Sequence, residues 1–189
     1  MIKNLNNNLG EVVIIIFIVA FILFIAINPS KFKSIDDFKG KQLHKGGHYI
    51  GKILSTSKKN FDHTQKLEFK YLNQFIKDNK LSKNGFPFII HTSQSEESIQ
   101  YIIAIPIVHC PENTLPLKFV CNYFPKQDVL AVIHEGYLHD RYKGWEMLEN
   151  EVAKQNIKIF NAPFEVFWKG AEQSKDSTTW LTGLYYPIQ

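Results

Sequence analysis

The chain has 189 residues, 44% of them hydrophobic and 14% aromatic, which excludes a disordered protein and leaves room beyond the first thirty residues for one domain with a real core. Its net charge of +4 comes from lysines spread along the sequence and a single arginine, Arg141, not from the clustered Lys/Arg forks of a nucleic-acid binder, so no nucleic-acid partner is expected. Two cysteines, Cys110 and Cys121, are too few for a disulfide scaffold; they read as free thiols, with pairing open to them in an oxidising compartment.

Residues 1–11 form a short polar tail. Val12 to Ile27 are then apolar without a break, bounded by Glu11 and Asn28. As a helix this run spans roughly 24 Å, and its flanks extend it toward the ~30 Å of a bilayer core. A buried core helix is rarely apolar on every face. The exit, Ala26 to Ser30, lacks the small-x-small pattern of a cleaved signal peptide. Residues 12–28 are therefore predicted as a single transmembrane helix that partners the membrane. The lysine excess on the C-terminal flank, from Lys31 to Lys45, favours a cytoplasmic location for the domain beyond it.

Residues 29–42 are polar and lysine-rich and read as a linker. Residues 43–189 then form a duplicated domain. Sliding the sequence by 76 lays residues 71–91 over 147–167 without a gap, with Leu72 on Leu148 and Pro87-Phe88 on Pro163-Phe164. At an offset of 81, Ile105-Pro106-Ile107 falls on Tyr186-Pro187-Ile188.

The first copy, about 43–108, opens with an extended stretch from Tyr49 to Leu54. A helix is predicted from Asp62 to Lys80, with Leu67, Tyr71, Leu72, Phe75 and Ile76 as its apolar stripe. Asn84-Gly85 breaks it, and strands come next over Phe86–His91 and Ser98–Val108. The second copy, about 127–189, repeats the order. Val129–His134 is a strand, a helix runs to Gln155 from an N-cap at Asp140, and Phe164–Lys169 and Thr179–Ile188 close as a hairpin. The helical stripe here is Tyr142, Trp145, Leu148 and Val152. The predicted class is α+β: two β-α-β-β units, an antiparallel sheet and helices on one face, preceded by the transmembrane helix.

Few motifs carry chemistry. His134-Glu135-Gly136-Tyr137-Leu138-His139 is one residue too long for a helical zinc-protease pair, since i and i+5 lie about 140° apart. His44 and His48 flank Lys45-Gly46-Gly47 beside the linker and read as bystanders. No metal, cofactor or catalytic residue is expected. The last strand is more telling. Alternation puts Gly183 and Tyr185 on one face and Trp180, Thr182, Leu184 and Tyr186 on the other. A glycine inside a strand often marks close approach by another group. Trp145, Trp168, Trp180, Tyr137 and Tyr185 together suggest an aromatic pocket.

The order of elements, with His134-Glu135-Gly136-Tyr137, Trp145, Pro163 to Phe167 and Leu184-Tyr185-Tyr186-Pro187-Ile188, resembles the GyrI-like small-molecule-binding domain, which is also the effector-binding domain of some AraC-type and multidrug-responsive bacterial regulators. The resemblance covers roughly residues 43–189. It implies a cleft between copies, with ligand-binding roles for Tyr185, Gly183, Trp168, Trp145 and Tyr137.

Two departures qualify what it implies. The family's closing strand carries a Glu four residues before its Pro, which faces the pocket, pairs with cationic ligands and in some members serves hydrolysis. Gly183 and, in the first copy, Ile102 stand there instead. A membrane helix takes the place of a DNA-binding domain. The expected function is a membrane-anchored, non-catalytic binding module for a neutral or aromatic small molecule. The alternatives are a membrane-tethered protein–protein adaptor and a GyrI-like hydrolase in which Glu135, Glu165 or another acid replaces the missing one.

Overall fold

The computed structural model describes residues 34–189. The predicted tail, the transmembrane helix over 12–28 and the start of the linker lie outside the described residues. Among the described residues no helix is long and apolar enough to cross a membrane.

Eight strands form one antiparallel sheet. In chain order they are β1 (Ile35–His44), β2 (Gly47–Ser57), β3 (Phe88–Gln94), β4 (Ser98–Pro106), β5 (Phe119–Phe124), β6 (Gln127–Glu135), β7 (Phe164–Lys169) and β8 (Leu181–Pro187). Helix α1 (Phe61–Asp78) lies between β2 and β3, and α2 (Tyr142–Gln155) between β6 and β7. The strands are ordered β1-β6-β8-β7-β3-β4-β2-β5. The α+β class, the antiparallel sheet and the two β-α-β-β halves match expectation, and the halves meet where β3 pairs with β7.

Two strands were not expected. The segment read as a linker contains β1, and the gap between copies contains β5. β1 carries Asp36, Asp37, Lys39 and Lys41, the charged composition that natural proteins place on exposed sheet edges. It therefore looks like a linker although it pairs with β6 along its whole length, with one bulge between Phe38 and Gly40. Each new strand leads directly into the first strand of one half, yet pairs with the other half: β1 with β6, and β5 with β2.

That exchange bends the sheet. Only Lys45 and Gly46 separate β1, at one end of the strand order, from β2, near the other. Three Cα steps reach at most roughly 11 Å, so the two ends of the sheet converge at this corner. Gly46 has φ +70°, and a Cβ there would lie 2.3 Å from the Phe124 carbonyl oxygen, so only glycine lets this link pack on its counterpart at Pro125. The sheet's inner face is thereby closed around Tyr49, Phe88, Phe124, Phe164 and Tyr185, all buried.

Both helices cover the outer face. The α1 stripe runs through Gln65, Phe69, Leu72 and Ile76 over Ile50, Ile103 and Ile105. Leu67 and Tyr71, predicted on that stripe, are exposed; Tyr71 instead lies 5.9 Å from the Lys52 ammonium. On α2, Leu148 and Trp145 pack on Val132 and Leu184, while Tyr142 is exposed. The cap of α2 is Arg141, directly after a 3-10 turn over Leu138–Asp140. Asp140, the expected cap, accepts a hydrogen bond from Ser34 at 2.8 Å instead. Asn156 ends the helix in the left-handed region with φ 52°.

Cys110 and Cys121 are joined in a disulfide with Cα atoms 5.8 Å apart, which corrects the reading as free thiols. The bond ties the loop after β4 to the edge strand β5.

Candidate functional site: two cavities on opposite faces of one sheet

Period-two alternation sorts the site residues. Gly183 pairs with Val166, and Tyr185 with Phe164, so these four face the inner side. Glu165 pairs with Leu184, which lies under α2, so Glu165 faces outward toward the helices.

The inner face opens into a cavity of about 360 Å³ at the converging corner. Phe88, Phe124, Trp168, Tyr185 and His44 form its walls, with Lys45 as the one formal charge and no carboxylate among its lining residues. Tyr185 stacks on Phe164 with ring centroids 4.8 Å apart, and the Trp168 ring lies 6.4 Å away. A Cβ on Gly183 would meet the Tyr185 hydroxyl at 2.4 Å; the glycine is there to admit the folded-back phenol. Burial drives the Tyr185 pKa above the usual tyrosine value.

The His44 ring is edge-on to Phe124 at 5.3 Å and to Phe164 at 4.9 Å. Its Nδ1 accepts the Gly46 amide at 3.2 Å, which leaves Nε2 to carry the proton of the neutral ring. Burial lowers the His44 pKa and so favours that neutral form. The sequence reads His44 as a bystander, whereas the structure places it in the cavity wall. The signal available was its place beside a glycine pair that closes the sheet.

The outer face carries a second cavity, about 530 Å³, between the N-terminal ends of α1 and α2. Glu165, wholly buried, forms its floor. Its Oε1 accepts from His91 Nε2 at 2.9 Å, and Arg141 Nε approaches Oε2 at 3.2 Å as an ion pair. Burial pushes the Glu165 pKa up, but the charge of Arg141 and the hydrogen bond from His91 outweigh it, and the net shift is downward. Arg141 also donates to Asp62 at 3.0 Å and lies over the Phe61 ring at 5.4 Å.

The expected ligand-binding residues therefore divide. Tyr185 and Trp168 line the inner cavity, and Gly183 lies beneath the Tyr185 ring. Trp145 does not join them: it projects from α2 into the outer cavity, 5.8 Å from His91 and 5.4 Å from Tyr186. Tyr137 lines neither cavity; its carbonyl accepts from His134 Nε2 at 2.9 Å and its ring stacks on His139. His134 is buried, with Nδ1 2.7 Å from Asp36 Oδ1, so it braces β6 against β1. Among the described residues no group of three or more His, Cys, Asp or Glu is placed to hold a metal.

No family description and no curated protein matches the sequence. Solved structures do match. A chain of the cryo-EM structure of the EcmrR–DNA complex has a TM-score of 0.73 at 13% identity, over 98% of this chain and 69% of that one. The EcmrR C-terminal domain gives 0.71 at 16%, covering 83% of this chain and 97% of its own. The structure of SAV2435 bound to tetraphenylphosphonium gives 0.58 at 12%, covering 81% and 94%. At these identities the likeness establishes the fold, which is the GyrI-like one the motifs resemble.

Proposed function

We propose that this chain is a non-catalytic binding module that takes a neutral, ring-bearing small molecule in its inner cavity. The observation that carries this is a cavity of about 360 Å³ walled by rings and free of carboxylates among its lining residues. Ligand sites are commonly concave and apolar with few polar anchors. The His44 Nε2–H supplies such an anchor for an acceptor atom. The proteins of like fold support a binding role, since SAV2435 was solved bound to tetraphenylphosphonium. That ligand is a cation; here Gly183 stands where the GyrI-like family places an acid, so a neutral ligand is favoured.

The non-catalytic reading rests on where the substitute acids lie. Neither Glu135 nor Glu165 lines the inner cavity. The open cavity between the halves favours a ligand over an adaptor role. EcmrR forms a complex with DNA; for this chain the dispersed charge favours a small molecule and a membrane over nucleic acid.

Residues 12–28 remain our proposed membrane anchor. The Cys110–Cys121 disulfide supports the oxidising side of that membrane for the domain, the reverse of the cytoplasmic location that the lysine bias favours. Labelling thiols in intact cells before and after reduction tests the location. New thiol reactivity only after reduction supports the oxidising side, and full reactivity without a reductant opposes it.

Binding is tested by titrating 1-naphthol against the full chain while monitoring tryptophan fluorescence. The quench should disappear in Trp168→Phe and persist in Trp180→Phe. A quench that survives Trp168→Phe unchanged would remove the ligand from this cavity.

A further inference from the structure

We propose that Asn84-Gly85, in the lining of the inner cavity, is a self-modification site: the Asn84 carboxamide deamidates and installs a carboxylate in a cavity that has none. The modification stands on local geometry. Its effect on ligands rests on the function proposed above.

The pair is the only asparagine followed by glycine in the sequence. Deamidation begins when the following amide nitrogen attacks the asparagine Cγ. A side chain on the following residue hinders that approach, and glycine has none. Both residues are exposed and lie in a bend outside the strands. The fold also fixes the reactive neighbour. Gly85 has φ +145°, and a Cβ there would lie 3.1 Å from Pro106 Cγ, so glycine is the residue this bend accommodates.

Asn84 is held by its backbone and not by its side chain. Its N–H donates to the Pro106 carbonyl at 2.8 Å, and Lys83 before it forms a bridge with Ile107. Among the described residues neither the Asn84 carboxamide nor the Gly85 amide has a hydrogen-bond partner. Two other asparagines show the protected arrangement. Asn122 Oδ1 accepts the Tyr123 amide at 2.8 Å, and Asn161 Oδ1 accepts the Ala162 amide at 2.8 Å, so each carboxamide is engaged and a bulkier residue follows. The 76-residue offset carries Asn84-Gly85 onto Phe160-Asn161, so only one half has the reactive pair.

The reaction needs only water. A bond forms between Gly85 N and Asn84 Cγ, the Cγ–Nδ2 bond breaks, and ammonia leaves with the former amide proton of Gly85. Water then opens the cyclic imide at either carbonyl, leaving aspartate or isoaspartate at position 84. Nothing is oxidised or reduced.

Position gives the step its consequence. Asn84 and Gly85 line the cavity in which Lys45 is the one formal charge. The new carboxyl, with an ordinary pKa of about 3.9, is ionised at neutral pH and cancels that charge. The modified cavity therefore repels anionic ring compounds that Lys45 attracts in the original. The isoaspartyl product also runs the main chain through the side-chain methylene, which lengthens the link to Phe86, another lining residue.

The full chain labelled with 5-fluorotryptophan carries a fluorine reporter at Trp168 in this cavity. Held in mildly alkaline buffer and digested at intervals for mass spectrometry, the folded chain should exchange –NH2 for –OH at Asn84 and not at Asn122 or Asn161. The exchange should quicken as pH rises, because the attack needs the deprotonated amide. An isoaspartyl methyltransferase should label the aged chain and not Asn84→Gln. At Trp168, 2-naphthoate should bind several-fold more weakly to Asn84→Asp than to the unmodified chain, with 1-naphthol altered less. No exchange at Asn84 in the folded chain would overturn the site, a urea-unfolded sample showing that the conditions suffice. Equal 2-naphthoate affinity in the two chains would overturn its effect. Silence of both probes at Trp168 would count against the function proposed above, and the mass change would still decide the modification.

Discussion

Ile89 on β3 and Glu165 on β7 are Cα partners across the midline of the sheet, and the 76-residue offset that relates the two halves carries one onto the other. The same position thus holds isoleucine in one half and a wholly buried carboxylate in the other. The duplication has diverged at its own symmetry axis. His91 and Arg141 accompany the change, for their counterparts would have no charge to meet at Ile89.

Removing one member of such a buried pair strands the other, whereas replacing both with apolar groups is often tolerated. Glu165→Ile should destabilise the domain by about 3 kcal/mol. The double variant Glu165→Ile/Arg141→Leu should recover much of that loss. Urea denaturation of the two single variants and the pair measures the coupling. Additive losses would show that the ion pair contributes nothing beyond its separate parts.

Acid should act through two groups whose windows open at different pH. The folded His44 pKa lies below its unfolded value of about 6.5, so the unfolded chain binds more protons as pH falls past that value. Stability present above about pH 6.5 is therefore lost as pH falls toward the folded pKa. The folded Glu165 pKa is also lowered, so its contribution is present above about pH 4.3 and is lost as pH falls through the folded value. His44→Phe should flatten the first limb of a thermal-stability profile and leave the second. An unchanged slope between neutrality and the first limb's end would contradict the assignment to His44.

The disulfide closes a short loop onto an edge strand, and bonds of that kind contribute about 2–3 kcal/mol. Cys110→Ser/Cys121→Ser should lower stability by that amount. It should also speed hydrogen exchange selectively in β5 and its partner β2. Uniform acceleration over the whole sheet would mean that the bond does not act through this edge.

Gly183→Ala places a methyl group against the Tyr185 phenol, where the contact would be 2.4 Å. Displacing the phenol should cost about 1–3 kcal/mol. The same variant should weaken neutral ligands in the inner cavity. Full stability and unaltered affinity would show that Tyr185 has another place to go.

Much of the fold was legible because apolar periodicity survives in the halves: Phe164–Lys169 is the strand predicted, and both helices lie within two residues of their expected ends. What the sequence concealed was long-range. β1 reads as a linker because its charges suit an exposed edge, and nothing local reveals that it pairs with β6, far along the chain. The curl of the sheet comes from that pairing, so it was hidden too. For the site, alternation along β8 correctly placed Gly183 and Tyr185 together. Trp145 was grouped with them because aromatic composition carries no information about which side of a sheet a helix covers. His44 sits only in the corner that the curl creates, and Glu165 stands out only once its burial is known.

The central claim, that the acid-free inner cavity takes neutral ring compounds, is tested most directly by comparing 1-naphthol with tetraphenylphosphonium on the fluorotryptophan-labelled chain. 1-Naphthol should shift the Trp168 fluorine saturably, and tetraphenylphosphonium should bind there at least roughly tenfold more weakly, for want of a carboxylate to offset its charge. Tighter binding of the cation at Trp168, or no effect of 1-naphthol there, would contradict the claim.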